Sequence, residues 1–256
     1  MMIDVNFDFT TDTPKYWDNF WEKDSILGQS GGDPDAKSKV LQEYHRILWS
    51  SNAADLLYTH LPNGDKMQLQ KGNGSDYLKW NKFRFGSDSI FVSFRYNKYR
   101  FMLEEVAKQR SDYHQFIENY LHRVSTIGGH IIFPKGINSI NQARGCNPFI
   151  SDRWDYTLEC IRLYYKGNES PLYKVLQRNK DFFELFVDFK GYINYFFLQD
   201  FVTEDYSSVI MHDDGKVFRK NPRPENPQEY ILWIENQIIL HDKRVERILE
   251  FCNSMK

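Results

Sequence analysis

The sequence predicts an α+β protein, mainly helical, with a small and mostly antiparallel sheet. Three observations carry that prediction. Residues 40–49, 99–124, 151–165, 172–202 and 228–251 repeat apolar side chains every three or four positions, the spacing of one buried helix face. Strand-like runs are short and confined to residues 66–94 and 128–133. Asn-Gly pairs at 63–64 and 73–74 stand beside those runs, where tight turns need residues that accept positive φ. Helices that dominate a segregated sheet define α+β rather than an alternating α/β chain.

In chain order, residues 3–10 alternate loosely and fit a short strand or an arm. A helix begins near Pro14, with Tyr16, Trp17, Phe20 and Trp21 at helical spacing. GQSGGDPDAKS, residues 28–38, is a turn-rich loop leading into a helix through Val40, Leu41, Tyr44, Ile47 and Leu48. His60-Leu61-Pro62-Asn63-Gly64 is a turn before strands at 66–70, 77–80 and 82–85, and Gly86-Ser87-Asp88-Ser89 is a break or a helix cap before 90–94. Residues 99–124 give two helices parted near Ser111-Asp112. A strand over 128–134 ends at Pro134, and an irregular loop covers 135–151. Ser151-Asp152 starts a helix that reaches Tyr165, buried along Trp154, Leu158, Ile161 and Tyr165. Residues 172–202 fit an aromatic, buried helical hairpin with Gly191 near its bend. The expected organisation is one α+β domain over 1–212, a polar Pro-containing linker over 213–227, and a C-terminal helix over 228–256. That helix packs back through Tyr230, Ile234, Ile238, Val245, Ile248 and Leu249.

A chain of 256 residues holds one large domain or two small ones with a sizeable core. Aromatic residues reach 16 %, and their large rings serve a core before they serve a ligand. Net charge is −2, from 33 basic against 35 acidic residues, so no extensive nucleic-acid or anionic-membrane surface is expected. No apolar run approaches the ~20 residues of a membrane span. The first residues, MMIDVNFDFTTD, lack a basic and an apolar region, so a cytoplasmic location is expected. Cys146, Cys160 and Cys252 are too scattered for a disulfide framework or a CxxC metal site. No cofactor, metal ligand set or oligomeric state is indicated.

Chemistry concentrates between residues 126 and 159. Gly128 and Gly129 allow close backbone approach, and His130 after them suits a general base or a donor to phosphate. The plainer alternative is a strand start with a satisfied histidine. Asn141, Gln142 and Arg144 lie in a polar loop, where an uncrowded guanidinium suits bidentate binding of phosphate or carboxylate. Equally, such side chains can satisfy their own loop. Asp152 is a helix cap, worth about 1 kcal/mol, and Arg153 projects from the first turn. Asp152, Asp155 and Glu159 share one helical face, which is a carboxylate site or simply a solvated surface. Catalytic roles fall on His130, Asp152 and Glu159, and substrate-binding roles on Arg144, Arg153, Gly128, Gly129, Asn141 and Gln142. Gly86-Ser87-Asp88-Ser89 is a weaker anion cradle without the lysine of a P-loop. His45 and the other five histidines have no acidic or cysteine partner at catalytic spacing.

YHRILWS (44–50), FGSDSI (85–90), TIGGHIIFP (126–134), INQARG (140–145) and SDRWDYTLECIRLYY (151–165) together resemble a family of bacterial proteins grouped as a domain of unknown function. The resemblance covers residues 3–202 and leaves the chain from about 213 outside it. It implies a bacterial, cytoplasmic origin and supplies neither an activity nor catalytic residues. Three readings follow. The first is an enzyme acting on a nucleotide or nucleic acid, of the toxin or defence-effector type. The second is a non-catalytic domain that holds a small ligand or a protein in an aromatic groove. The third is an assembly protein whose polar loop pins the fold.

Overall fold

In a computed structural model the chain is described over residues 3–13, 34–56, 67–72, 77–92, 94, 100–136, 139–212 and 217–255. The expected helix from Pro14, the turn at 60–64 and the Asn73-Gly74 turn lie outside the described residues. The class is α+β: ten α-helices and one four-stranded antiparallel sheet among the described residues.

Residues 3–13 form successive turns rather than a strand, closed by Asp side chains that accept backbone N–H groups two residues on. A single-turn helix α1 (Pro34–Lys37) precedes the long helix α2 (Lys39–Leu56). Strands β1 (Gln70–Lys71), β2 (Leu78–Trp80) and β3 (Phe83–Ser89) follow. Leu78 faces Phe85, and Lys79 faces Arg84. The apolar members of this pattern are buried and the basic ones exposed. Gly86-Ser87-Asp88-Ser89 is therefore neither a break nor a cap but the second half of β3. Helices α3 (Arg100–Gln109) and α4 (Tyr113–Val124) flank Ser111-Asp112 as expected. The two glycines belong to a 3₁₀ turn, Ile127–Gly129, so strand β4 starts at His130 and ends at Pro134. Sheet order is β1-β2-β3-β4.

The expected loop over 135–151 contains a helix, α5 (Ile140–Cys146), capped by Ser139, whose hydroxyl accepts the Gln142 N–H at 3.3 Å. Helix α6 starts at Trp154, not at Ser151-Asp152, and runs to Tyr165. Ser151 (φ 49°) and Asp152 (φ 65°) are left-handed and stand outside it. The expected hairpin over 172–202 is a run of short helices: α7 (Tyr173–Arg178), α8 (Lys180–Phe183) and α9 (Phe189–Tyr195), joined by 3₁₀ turns. Gly191 marks no bend. It lies in the first turns of α9, where a Cβ would come within 2.0 Å of the Phe186 carbonyl oxygen. The last helix, α10, spans Pro227–Ser254, with Pro227 at its start and the Asn226 side chain accepting the Glu229 N–H at 3.0 Å.

Contacts divide the chain into two compact units. The first comprises residues 1–41, 91–130 and 223–256, and the second residues 42–90 and 131–222. In the first, α10 packs on α3, α4 and the 3₁₀ turn, and the Trp233 indole donates to the Val92 carbonyl at 2.9 Å. In the second, the aromatic residues are core. Phe186 and Phe196 lie 5.3 Å apart, ring to ring, and each stands 4.7–5.3 Å from both Tyr192 and Tyr195; all four are buried. The described part of the expected linker is tied down: Asn221 donates to the Pro148 carbonyl, and Pro222 accepts from Arg153.

Candidate functional site

The residues singled out by sequence fall into two groups, one in each unit. His130, Gly128 and Gly129 belong to the first. His130 is buried, its Nδ1 lies 2.9 Å from the Thr126 carbonyl, and its ring meets Phe9 edge-on. A carbonyl only accepts, so Nδ1 carries the ring proton and Nε2 is the basic atom. That atom lies 3.4 Å from an Asp35 carboxylate oxygen. Burial lowers the His130 pKa to about 4, against the pull of the Thr126 carbonyl. The glycines have a packing duty. A Cβ on Gly129 would stand 2.1 Å from the Val124 carbonyl oxygen, and one on Gly128 would meet Val245 at 2.5 Å and His241 at 2.8 Å. Arg244 of α10, fully buried, donates to the Gly128 carbonyl at 2.7 Å and the His130 carbonyl at 3.0 Å. The Gly-Gly-His segment is thus the seat of the C-terminal helix.

The second unit gathers Asn141, Gln142, Arg144, Asp152, Arg153 and Glu159. Arg144 is 0 % exposed. Its Nη1 donates to Asp88 at 2.5 Å and to the Ser89 carbonyl, its Nη2 to the Asp152 carbonyl, and its Nε to the Thr157 hydroxyl. The Asp152 carboxylate adds an ion pair at 3.3 Å. Its own pKa is raised by burial, against the pull of Arg144. The left-handed pair Ser151-Asp152 turns the Asp152 carbonyl onto the guanidinium, a conformation that costs roughly 1–3 kcal/mol per residue. Asp152 does not cap α6, and Asp155 and Glu159 do not form a solvated face. Both are buried. Asp155 is paired with Arg153, and Glu159 holds Arg162 through two bonds of 2.6 and 2.7 Å. Asn141 Nδ2 donates to the Ser87 carbonyl, and Gln142 is exposed.

Sequence reasoning missed one contact in this group. His45 Nε2 lies 2.9 Å from Ser87 Oγ, and the Trp49 indole donates to His45 Nδ1 at 2.6 Å. An indole N–H only donates, so Nδ1 must accept, and Nε2 carries the proton toward Ser87. His and Trp four residues apart on a helix were a readable signal of such a pair. Ser87, forty-two residues away, was not. Polar side chains from four of the five sequence motifs thus meet around β3, and the fifth supplies its neighbour β4: His45 and Trp49, Ser87 and Asp88, Asn141 and Arg144, Asp152 and Thr157. No group of three or more His, Cys, Asp or Glu residues arranged to hold a metal occurs among the described residues.

Fold and geometry define an α+β protein whose polar motifs lock helices onto a small sheet. The chain belongs to the Family of unknown function (DUF6994), which matches residues 3–248. The match reaches past residue 213, correcting the expected limit, and it includes Arg244 and Val245 on α10. No curated protein and no solved structure matches the chain.

Proposed function

We propose that the chain is a non-catalytic binding protein, with the segment over 128–159 as its scaffold. The observation that speaks against the catalytic alternative is the internal use of Arg144. A guanidinium that recognises phosphate or carboxylate needs an open bidentate edge. Both terminal nitrogens here already serve Asp88, Ser89 and Asp152. Arg153 with Asp155, and Glu159 with Arg162, are committed in the same way. A buried imidazole with a pKa of about 4 is a weak base, poorly matched to proton abstraction near neutrality. Thermal melts against a panel of nucleotides and metabolites test the reading. A ligand that prefers the native state raises Tm by mass action, and a panel with no shift speaks against it.

A second reading, an enzyme acting on a nucleotide or nucleic acid, is favoured by the His45–Ser87 contact alone. Turning Trp49 off Nδ1 would move the ring proton and leave Nε2 free to activate Ser87. Under this reading Trp49→Phe increases labelling by a fluorophosphonate probe and Ser87→Ala abolishes it. The binding reading expects no labelling of either. A bacterial, cytoplasmic setting is part of the proposal. It rests on the motif resemblance and on three free cysteines, of which Cys160 is buried with its thiol pushed up to about 12.

A further inference from the structure

One face of the sheet is basic and uncovered at three positions that the site above does not use. Lys79 on β2 and Arg84 on β3 are direct cross-strand partners, so their side chains point to the same side. Lys135, just after β4, donates its backbone N–H to the Arg84 carbonyl at 2.6 Å. Its aliphatic stem crosses β3 at Gly86, where a Cβ would come within 3.2 Å of it. Its ammonium then lies 3.4 Å from the centre of the Tyr77 ring. Lys79, Arg84 and Lys135 are all exposed, and no carboxylate among the described residues pairs with them. The one acidic residue on the described strands, Asp88, is held by Arg144. With strands about 4.8 Å apart, the three cations fall within about 10 Å of one another.

The geometry points to this face, Tyr77, Lys79, Arg84 and Lys135, as a docking surface for single-stranded nucleic acid. Charge complementarity argues for a polyanion, and the tyrosine beside the cations argues for bases rather than carboxylates. Lys79 and Arg84 take phosphates, which their free charges favour electrostatically. A base stacks on Tyr77 as the Lys135 ammonium passes from the ring to the neighbouring phosphate. A net charge of −2 permits this, because a balanced total is compatible with a local cluster of cations. The inference rests on the binding reading and names its partner.

Fluorescence anisotropy of the full chain with labelled oligo-dT of roughly 15 nucleotides tests it. Three phosphate contacts give a slope of log K against log salt of about −2 for a single strand. The double variant Lys79→Gln with Arg84→Gln removes two of them, and binding falls roughly 50-fold at about 50 mM salt. Tyr77→Ala lowers binding roughly 5- to 100-fold, while Tyr77→Phe keeps it. Lys79 and Arg84 are exposed and Tyr77 is half-buried, and unchanged melting curves confirm that the fold is intact. No binding, binding indifferent to the double variant, equal competition by polyglutamate, or preference for duplex each overturns the inference. A small-molecule thermal shift from a chain that ignores oligo-dT would leave the binding reading standing and remove this one alone.

Discussion

Arg144 shows how much a single buried charge can organise. Its guanidinium joins β3, the turn before α6 and α6 itself through Asp88, Asp152 and Thr157. Truncating one partner of a buried pair leaves the other charge uncompensated, at about 3–5 kcal/mol. Arg144→Ala should therefore lower urea stability by that amount, and Arg144→Lys should recover only part, since an ammonium cannot span the same acceptors. His130 gives a second residue-level expectation. Its pKa is 6.5 in the unfolded chain and about 4 when folded, so the unfolded chain takes up the proton first. The stabilisation from burying a neutral ring is full above pH 6.5 and is lost as pH falls toward 4, by roughly 3 kcal/mol in all. Urea melts of His130→Phe should lose less stability between pH 7 and pH 5 than the parent chain.

At the scale of elements, glycines separate packing from flexibility. Gly129→Ala puts a methyl group against the Val124 backbone, which cannot step aside, and should cost at least the 1–3 kcal/mol of overpacking. Gly145→Ala, with nothing within 4 Å, should change little, and chemical melts of the two variants check the contrast. The helical stripes of α2, α4, α6 and α10 were legible because one apolar face per helix is a local pattern. The second half of β3 was not. Gly86, Ser87, Asp88 and Ser89 each disfavour a strand locally, and only pairing within the sheet, with His45 and Arg144 as partners, overrides that. Burial of Arg144, Arg153 and Glu159 was hidden for a related reason. A charge reads as exposed until its long-range partner is known.

Over the whole molecule, the fold class and the family were readable from sequence, but the position of the C-terminal helix in the fold was only half visible. Its stripe announced a packed helix. Nothing local announced that Arg244 would bind the carbonyls of Gly128 and His130. A chain ended after residue 222 should lose hydrogen-exchange protection at Val106, Ile117 and Tyr120 while keeping it at Ile161 and Tyr192. Equal loss at both sets would contradict the division into units.

That division also has a temporal side. The first unit joins residues 91–130 to residues 223–256, whereas the second has all of its segments by residue 222. During synthesis at about 5–20 residues per second, the second unit can close while the chain is still attached to the ribosome. Residues 91–130, by contrast, are made well before α10 (Pro227–Ser254), against which α3 and α4 pack. Helices α3 and α4 thus stay without their main packing partner until α10 has been made.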